Sequence, residues 1–388
     1  MKVGIIGLGA RIAHVAHEFY KTAPDLEFVA YSDPAPAGQS VLQSQLGKPL
    51  QGYETPQEMF AAHKLDLVLI GSPNFLHLEH IKVALESPTP YIFTEKPVII
   101  SKEETFKLLE LMAKHNGLKR LLIGLVLRYS PLFRQIRESQ NSGQIGDIIS
   151  IEAAEHIAPY HGSFFMKDWR RHSKYSGGFM LEKCCHDLDL YQGIIGARPI
   201  KLASFGGRKF FTPQNKPEKP HRFPAPEYPD RVDPFTPRWN GSEADFDSDG
   251  DLIDYQTALI EYEGGANLCF HTNMAVADEY RRFAIIGTNG MAEGDFVRNY
   301  YRVHDAMTSE ELVHLDDLGG NRSGHYGADS MMSADIIAYI RGEADLPVGI
   351  IDALQAGLTA LMLDEARHSS SVIDMAPIWQ QFDSYKLS

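Results

Sequence analysis

The sequence has little cysteine: three residues, two of them adjacent at Cys184 and Cys185. That is too few for a disulfide framework, and neighbouring cysteines bridge only with strain, so free thiols in a reducing compartment are expected. It also lacks any run near the ~20 apolar residues that span a bilayer. The start from Met1 to Gly7 looks like a signal peptide, but Arg11 and His14 interrupt the apolar run too early for a secretory core, and no small-residue cleavage site closes it. A cytoplasmic protein without a membrane partner is expected. Positive charge is short as well: 37 Lys and Arg stand against 51 Asp and Glu, a net charge of −14. Such a chain repels phosphate backbones, so nucleic acid is not the expected partner. The remainder is ordinary for a globular protein, with 44% hydrophobic and 23% charged residues over 388 positions. At ~100–200 residues per domain this suggests two domains.

Up to about Gly124, short apolar runs alternate with helical patterns. Val3–Ile6, Phe28–Tyr31, Leu67–Ile70, Tyr91–Phe93 and Leu121–Ile123 resemble buried parallel strands, apolar throughout because helices cover both faces. Helical periodicity covers about 11–21, 56–62, 75–86 and 102–115. This is the pattern of a doubly wound parallel sheet over 1–123. Over 124–388 the texture changes. Longer strands (Ile148–Ala154, Leu202–Phe211, Tyr255–Tyr262, Ala266–Thr272, Arg282–Ile286) come without a helix after each, and helices are expected at 130–139, 179–195, 328–341 and 352–367. An α+β domain with a large, mostly antiparallel open sheet is expected there. It is interrupted by a Pro-rich insertion at about 212–253, since residues 213–237 hold eight of the 22 prolines.

Gly7-Leu8-Gly9-Ala10-Arg11-Ile12 follows the first strand and opens the first helix. The two glycines match the dinucleotide fingerprint, one for the tight turn and one for close approach of a pyrophosphate to the backbone. The helix N-terminus adds free N–H groups and a positive dipole end. Ile12 departs from the pattern, standing where a third Gly or Ala is usual. Asp33 ends the second strand, 24 residues after Gly9. A carboxylate there accepts the ribose hydroxyls and repels a 2′-phosphate, which favours NAD over NADP. The bland alternative makes Asp33 a turn residue before Pro34.

Two further segments carry a family resemblance. One is Gly71-Ser72-Pro73-Asn74-Phe75-Leu76-His77, followed at the next strand end by Glu95-Lys96-Pro97. The other runs Gly177-Gly178-Phe179-Met180-Leu181-Glu182-Lys183-Cys184-Cys185-His186-Asp187-Leu188-Asp189. Together with Arg128-Tyr129-Ser130-Pro131, Gly287-Thr288-Asn289-Gly290 and His325-Tyr326-Gly327-Ala328-Asp329, the chain resembles the glucose–fructose oxidoreductase / inositol dehydrogenase (Gfo/Idh/MocA) family along nearly its whole length. The resemblance implies a Rossmann domain followed by a domain built on a large open sheet. It also implies hydride transfer between a nicotinamide cofactor and a hydroxyl or keto carbon of a sugar, sugar derivative or cyclitol. By the family's pattern the catalytic set is Lys96, Glu182 and His186, with Glu182 in place of the usual Asp. Gly7, Gly9, Ala10, Arg11, Ile12, Asp33, Ser72, Asn74, His77, Glu95 and Lys96 face the cofactor. Arg128, Trp169, Arg170 and Asp189 face the substrate.

The chemistry of these residue types agrees. Oxidising an alcohol needs a base with a pKa near working pH, and histidine has one unperturbed. A lysine ammonium stabilises charge developing on the reacting oxygen. Glu182, four residues before His186 on one expected helix, shares its face. Glu182, Cys185 and His186 also offer metal donors, but no second cluster stands at ligand spacing, and no metal is expected. Asp245 to Gly250 fits half of a calcium loop, with Gln256 where a bidentate Glu is needed. Two other functions use overlapping residues: glycoside cleavage by transient oxidation and elimination on a held NAD, and a non-catalytic dinucleotide-binding regulator. Finally, Leu259 and Cys269 oppose Ala258, Ile260, Leu268 and Phe270 across their strands. Strands apolar on both sides imply two buried faces, so a homodimer or homotetramer is expected.

Overall fold

The computed structural model describes residues 1–216, 246, 248–319 and 323–387. The core of the Pro-rich insertion, with Glu243, Asp245 and Asp247, lies outside the described residues. The chain forms two compact units: residues 1–133, 320–358 and 377–388 make the first, and 134–319 with 359–376 the second. This differs from the sequence division at 123/124, which placed everything after it in one domain. Periodicity shows that residues 328–340 are helical, but not which sheet or helix they pack against.

The first unit holds a six-stranded parallel sheet. Its strands are β1 (Lys2–Ile6), β2 (Glu27–Ser32), β3 (Gln51–Tyr53), β4 (Leu67–Ile70), β5 (Tyr91–Thr94) and β6 (Leu121–Ile123), in spatial order β3-β2-β1-β4-β5-β6. The central strands are apolar on both sides because helices cover both faces; Val3, Ile5, Leu67, Val68, Leu69 and Ile70 are all fully buried. Five strands coincide with the apolar runs. The edge strand β3, Gln-Gly-Tyr, has no apolar signal, and the helix Gln39–Leu46 before it is short, with only Leu42 and Leu46 buried. The helix Ala328–Ile340 packs against the helix Ala10–Thr22.

The second unit holds a nine-stranded sheet of β7 (Ile148–His156), β8 (Pro199–Gly207), β9 (Tyr255–Tyr262), β10 (Asn267–Asn273), β11 (Tyr280–Gly287), β12 (Gly290–Asp295), β13 (Tyr300–Asp305), β14 (Glu311–Leu315) and β15 (Ile373–Asp374). The order is β14-β13-β12-β11-β7-β10-β9-β8-β15, and among the described residues β7 and β10 form its one parallel pair. One face is core: Leu202, Ala258, Ile260, Leu268, Phe270, Phe283 and Ile285 are buried. The register aligns Ala203, Leu259, Cys269, Glu152 and Ala284 across the other face. On it Phe205 is 68% exposed and Leu259 50%. The insertion leaves and returns at a buried carboxylate, because Asp254 accepts hydrogen bonds from the N–H groups of Lys209, Phe210 and Phe211. Its acidic flank is spent locally: Asp249 pairs with Arg171, and Asp251 accepts from Ser173.

Candidate functional site

The first unit's sheet order reverses between β1 and β4, and open α/β sheets bind ligands beyond the carboxyl ends of their strands at such a point. Gly7 leaves β1 with φ +76° and lies so close to Ser72 after β4 that a side chain would overlap the Ser72 backbone. Only glycine satisfies both demands. Gly9 is the N-cap of the helix Ala10–Thr22. No side chain caps this end, no acidic residue occupies the first turn, and the space a Cβ of Gly9 would enter is open. Uncapped N–H groups beneath an open glycine suit an anion. Ile12, the departure from the fingerprint, is accommodated from the other side. A Cβ on Gly71 would collide with Ile12, so the missing glycine of the helix is compensated by a glycine on the strand.

Asp33 braces this turn. Its Oδ2 accepts the Leu8 N–H at 2.6 Å and its Oδ1 the Ala35 N–H at 2.7 Å. Gly38 N–H in turn donates to Leu8 C=O at 2.8 Å. The turn reading of Asp33 is therefore correct as far as it goes. It does not exclude the ribose reading, since each carboxylate oxygen keeps a further lone pair.

Arg11 and Glu95 are turned toward each other. Arg11 Nε donates to Glu95 Oε1 at 2.8 Å, and its two terminal nitrogens bind Asp329 at 2.8 and 2.7 Å. Burial alone would lower the guanidinium pKa, but Glu95 and Asp329 raise it above its ordinary value. Burial opposes ionisation of Asp329; contacts from His14, His325 and Arg11 outweigh it and hold the carboxyl well below the usual range. Lys96 follows β5, with its N–H on Glu95 Oε2 at 3.3 Å. Ser72 and Asn74 are buried, and Ser72 Oγ meets His80 Nδ1 at 2.8 Å. His77 is 1% exposed, its ring nitrogens 2.7 Å from Pro97 C=O and 2.8 Å from Ser72 C=O. Arg128 belongs to this unit, buried over the Phe133 ring at 5.4 Å and 3.7 Å from Asp352.

Glu182, His186, Trp169, Arg170 and Asp189 belong to the second unit. The single helix expected over 179–195 is broken: Phe179–Glu182 and Cys185–Ile195 are separate, with Lys183 and Cys184 between them. The shared-face geometry of one continuous helix therefore does not apply to Glu182 and His186. Gly177 and Gly178 both take positive φ ahead of this segment, and a side chain on Gly178 would meet Asp364. Glu182 is buried, 3.6 Å from Arg170 Nε. Arg170 lies over the rings of Phe164 at 4.1 Å and Trp169 at 4.3 Å, so one face of Trp169 holds its own neighbour. His186 and Asp189 are buried. Between them, Asp187 anchors the helix: Arg281 binds it through two nitrogens at 2.8 and 2.7 Å and also reaches Glu155, which Lys183 holds at 2.8 Å. Burial works against the ionised form of both carboxylates, and the two cations keep Glu155 ionised. Cys184 is a buried free thiol, pushed up in pKa by burial.

Residues 1–122 match the model of the oxidoreductase family's NAD-binding Rossmann fold, and residues 137–375 match the family's C-terminal alpha/beta domain. The chain belongs to the Gfo/Idh/MocA oxidoreductase family. YteT of Bacillus subtilis (strain 168) is 25% identical over 317 residues, covering 72% of this chain and 73% of that protein. The D-glucoside 3-dehydrogenase of Escherichia coli (strain K12) is 28% identical over 205 residues, 52% of this chain and 56% of that one. The chain thus spans little more than half the length of several curated relatives it matches. In three dimensions it is similar to scyllo-inositol dehydrogenase from Lactobacillus casei, solved with bound NAD(H) and scyllo-inositol. The TM-score is 0.71 at 22% identity, covering 97% of this chain and 99% of that one. The chain is accordingly an oxidoreductase whose first domain is an NAD-binding Rossmann fold, followed by a domain with a mostly antiparallel sheet. No helix among the described residues is long and apolar enough to cross a membrane.

Sequence reasoning missed Asp329, Arg281, Glu155 and the compensating Gly71. Gly71 and Asp329 stood inside segments already singled out, but nothing local says that Asp329 faces Arg11, 318 positions away.

Proposed function

We propose that this oxidoreductase uses NAD to interconvert a secondary hydroxyl and a ketone on a polyhydroxylated ring, a sugar, sugar derivative or cyclitol. The observation that carries the reading is the uncapped helix start beneath Gly9 with Asp33 locked to Leu8, at the switch point of the sheet. When bound there, the cofactor accepts or donates the hydride. Gly7, Gly9 and Ala10 present backbone to its pyrophosphate, and Asp33 accepts ribose hydroxyls. NAD is preferred to NADP for a second reason beyond the Asp33 charge. Pro34 and Pro36 carry no N–H, the N–H groups of Ala35, Gly38 and Gln39 are already bonded, and residues 34–47 contain no Lys or Arg. A 2′-phosphate would find an acid and few donors.

In this reading His186 takes the hydroxyl proton, Lys96 stabilises the developing alkoxide, and Glu182, paired with Arg170, receives a neighbouring hydroxyl. Trp169 fixes Arg170 through its ring face, and Arg128 and Asp189 are assigned to the substrate by the family's pattern. The named dehydrogenase relatives support a small polyol substrate. Incubation with NAD and a panel of monosaccharides, cyclitols and glycosides tests this. NADH formed one-for-one with a ketone product is expected, whereas glycoside cleavage without NADH accumulation would replace the reading.

The outward face of the nine-stranded sheet, with Phe205 and Leu259 exposed, supports a twofold assembly in which that face is covered by a second copy. Light scattering at micromolar concentration is expected to give a multiple of the 43.4 kDa chain mass, and Leu259→Asp to reduce it.

A further inference from the structure

Helix His77–Glu86 begins immediately behind the loop that leaves β4, and its first side chain is buried. The two ring nitrogens point at two different loops: Nδ1 is 2.7 Å from the Pro97 carbonyl oxygen, and Nε2 is 2.8 Å from the Ser72 carbonyl oxygen. A carbonyl oxygen can only accept. Neutral imidazole carries one N–H, so one of these contacts would set a ring lone pair against a carbonyl lone pair in a site without water access. Imidazolium carries two N–H groups and satisfies both. We propose that His77 is held as the imidazolium at neutral pH and acts as a positioning residue, tying the loop that carries Lys96 to the loop that follows β4.

The two carbonyl acceptors favour the charged form against burial and the like charge of Lys96. On the same helix His80 faces Ser72 Oγ, and its protonation falls to about 4, first through burial and then through the neighbouring His77 charge. On the segment carrying Pro97, Glu95 is bound to Arg11 and Lys96 is a like charge; Asp33 contributes the opposing negative field at His80. The tie also accounts for a histidine at a position where a cofactor contact was expected: its ring is spent on two backbone oxygens, so its influence on the reaction passes through the loops it holds.

The protonation state is read without substrate, so it stands or falls independently of the proposed reaction. Long-range proton–nitrogen spectra of histidine-labelled protein at pH 7.5 are expected to show a residue with both ring nitrogens protonated whose signals are missing in His77→Asn. A neutral pattern, one nitrogen bare, would overturn the proposal. The positioning role rests on Lys96 being catalytic and is read by two variants. Asn places its amide near the Nδ1 position and keeps the bond to Pro97. Gln places its amide near Nε2 and keeps the bond to Ser72. His77→Gln should lose roughly 10- to 100-fold in kcat, the scale of an ångström-sized misplacement, with NAD affinity changed less than about 3-fold. His77→Asn should lose distinctly less. Equal losses in both, or wild-type kcat in His77→Gln, would remove the positioning role while leaving the imidazolium assignment to the spectra. A wild-type protein inactive on every polyol would reject the proposed reaction and leave the spectra decisive.

Discussion

Replacing Asp33 by Ala should weaken NAD and leave NADP nearly as poor as before. The carboxylate makes two short backbone bonds, 2.6 Å to Leu8 N–H and 2.7 Å to Ala35 N–H. Hydrogen bonds to a charged group contribute about 1.5–3 kcal/mol each, and half-exposure of Asp33 puts these at the low end. The Leu8 bond matters more, because Leu8 sits between the two glycines of the turn that would receive the pyrophosphate. Losing it, together with the ribose contact, should raise the Kd of NAD by roughly 10- to 100-fold at about 1.4 kcal/mol per factor of ten. NADP gains relief from the negative charge but meets no Lys or Arg between Pro34 and Gly47. The preference should narrow from the NAD side. Calorimetric titration of both cofactors into wild type and Asp33→Ala measures this, with thermal melting of the apoprotein as a control for the turn. If NAD affinity stayed unchanged while NADP affinity rose tenfold or more, Asp33 would be only a charge filter, and the bracing argument would be wrong.

His186→Ala should lose about 10²–10⁴-fold in turnover with NAD affinity kept, and Lys96→Ala a similar factor, as steady-state kinetics with parallel NAD titrations would show. Arg281→Met should destabilise the second unit by about 3–5 kcal/mol, because Asp187 and Glu155 stay buried with Lys183 alone; urea denaturation reads it, and an effect under about 1 kcal/mol would refute it. Stability should fall as pH drops through the histidine range. His80 and His156 both protonate at about 4 in the native state, through burial first and then a neighbouring histidine, against about 6.5 unfolded. Between those values the unfolded chain binds more protons, so stability is lost as pH falls from 6.5 toward 4. Melting temperatures across that range should drop less steeply in a His80→Gln, His156→Gln double variant.

Much of this protein was legible in its sequence because the relevant forces are local or periodic. A strand buried on both faces must be apolar at every position, so β1, β2, β4, β5 and β6 announced themselves. A tight turn needing positive φ favours glycine, so Gly7 marked the turn out of β1, with Gly9 as the open cap of the helix behind it and Asp33 at a set interval. The edge strand β3 was silent because an edge can be polar. The proposed catalytic set, Lys96, Glu182 and His186, rests on the family segments. Tertiary structure decided what depends on contacts between distant positions. Gly71 makes room for Ile12, Asp329 neutralises Arg11, and Arg281 neutralises Asp187. Each partner is an ordinary polar or small residue whose meaning comes only from what it faces. The break at Lys183 and Cys184 was likewise invisible, since helical periodicity runs straight through it, and the buried Lys183–Glu155 pair is seen only in three dimensions. His77 shows the division most plainly. Its position at a helix start could be read from the chain, but whether its ring meets a ligand or two carbonyl oxygens is a matter of which loops the fold brings to it.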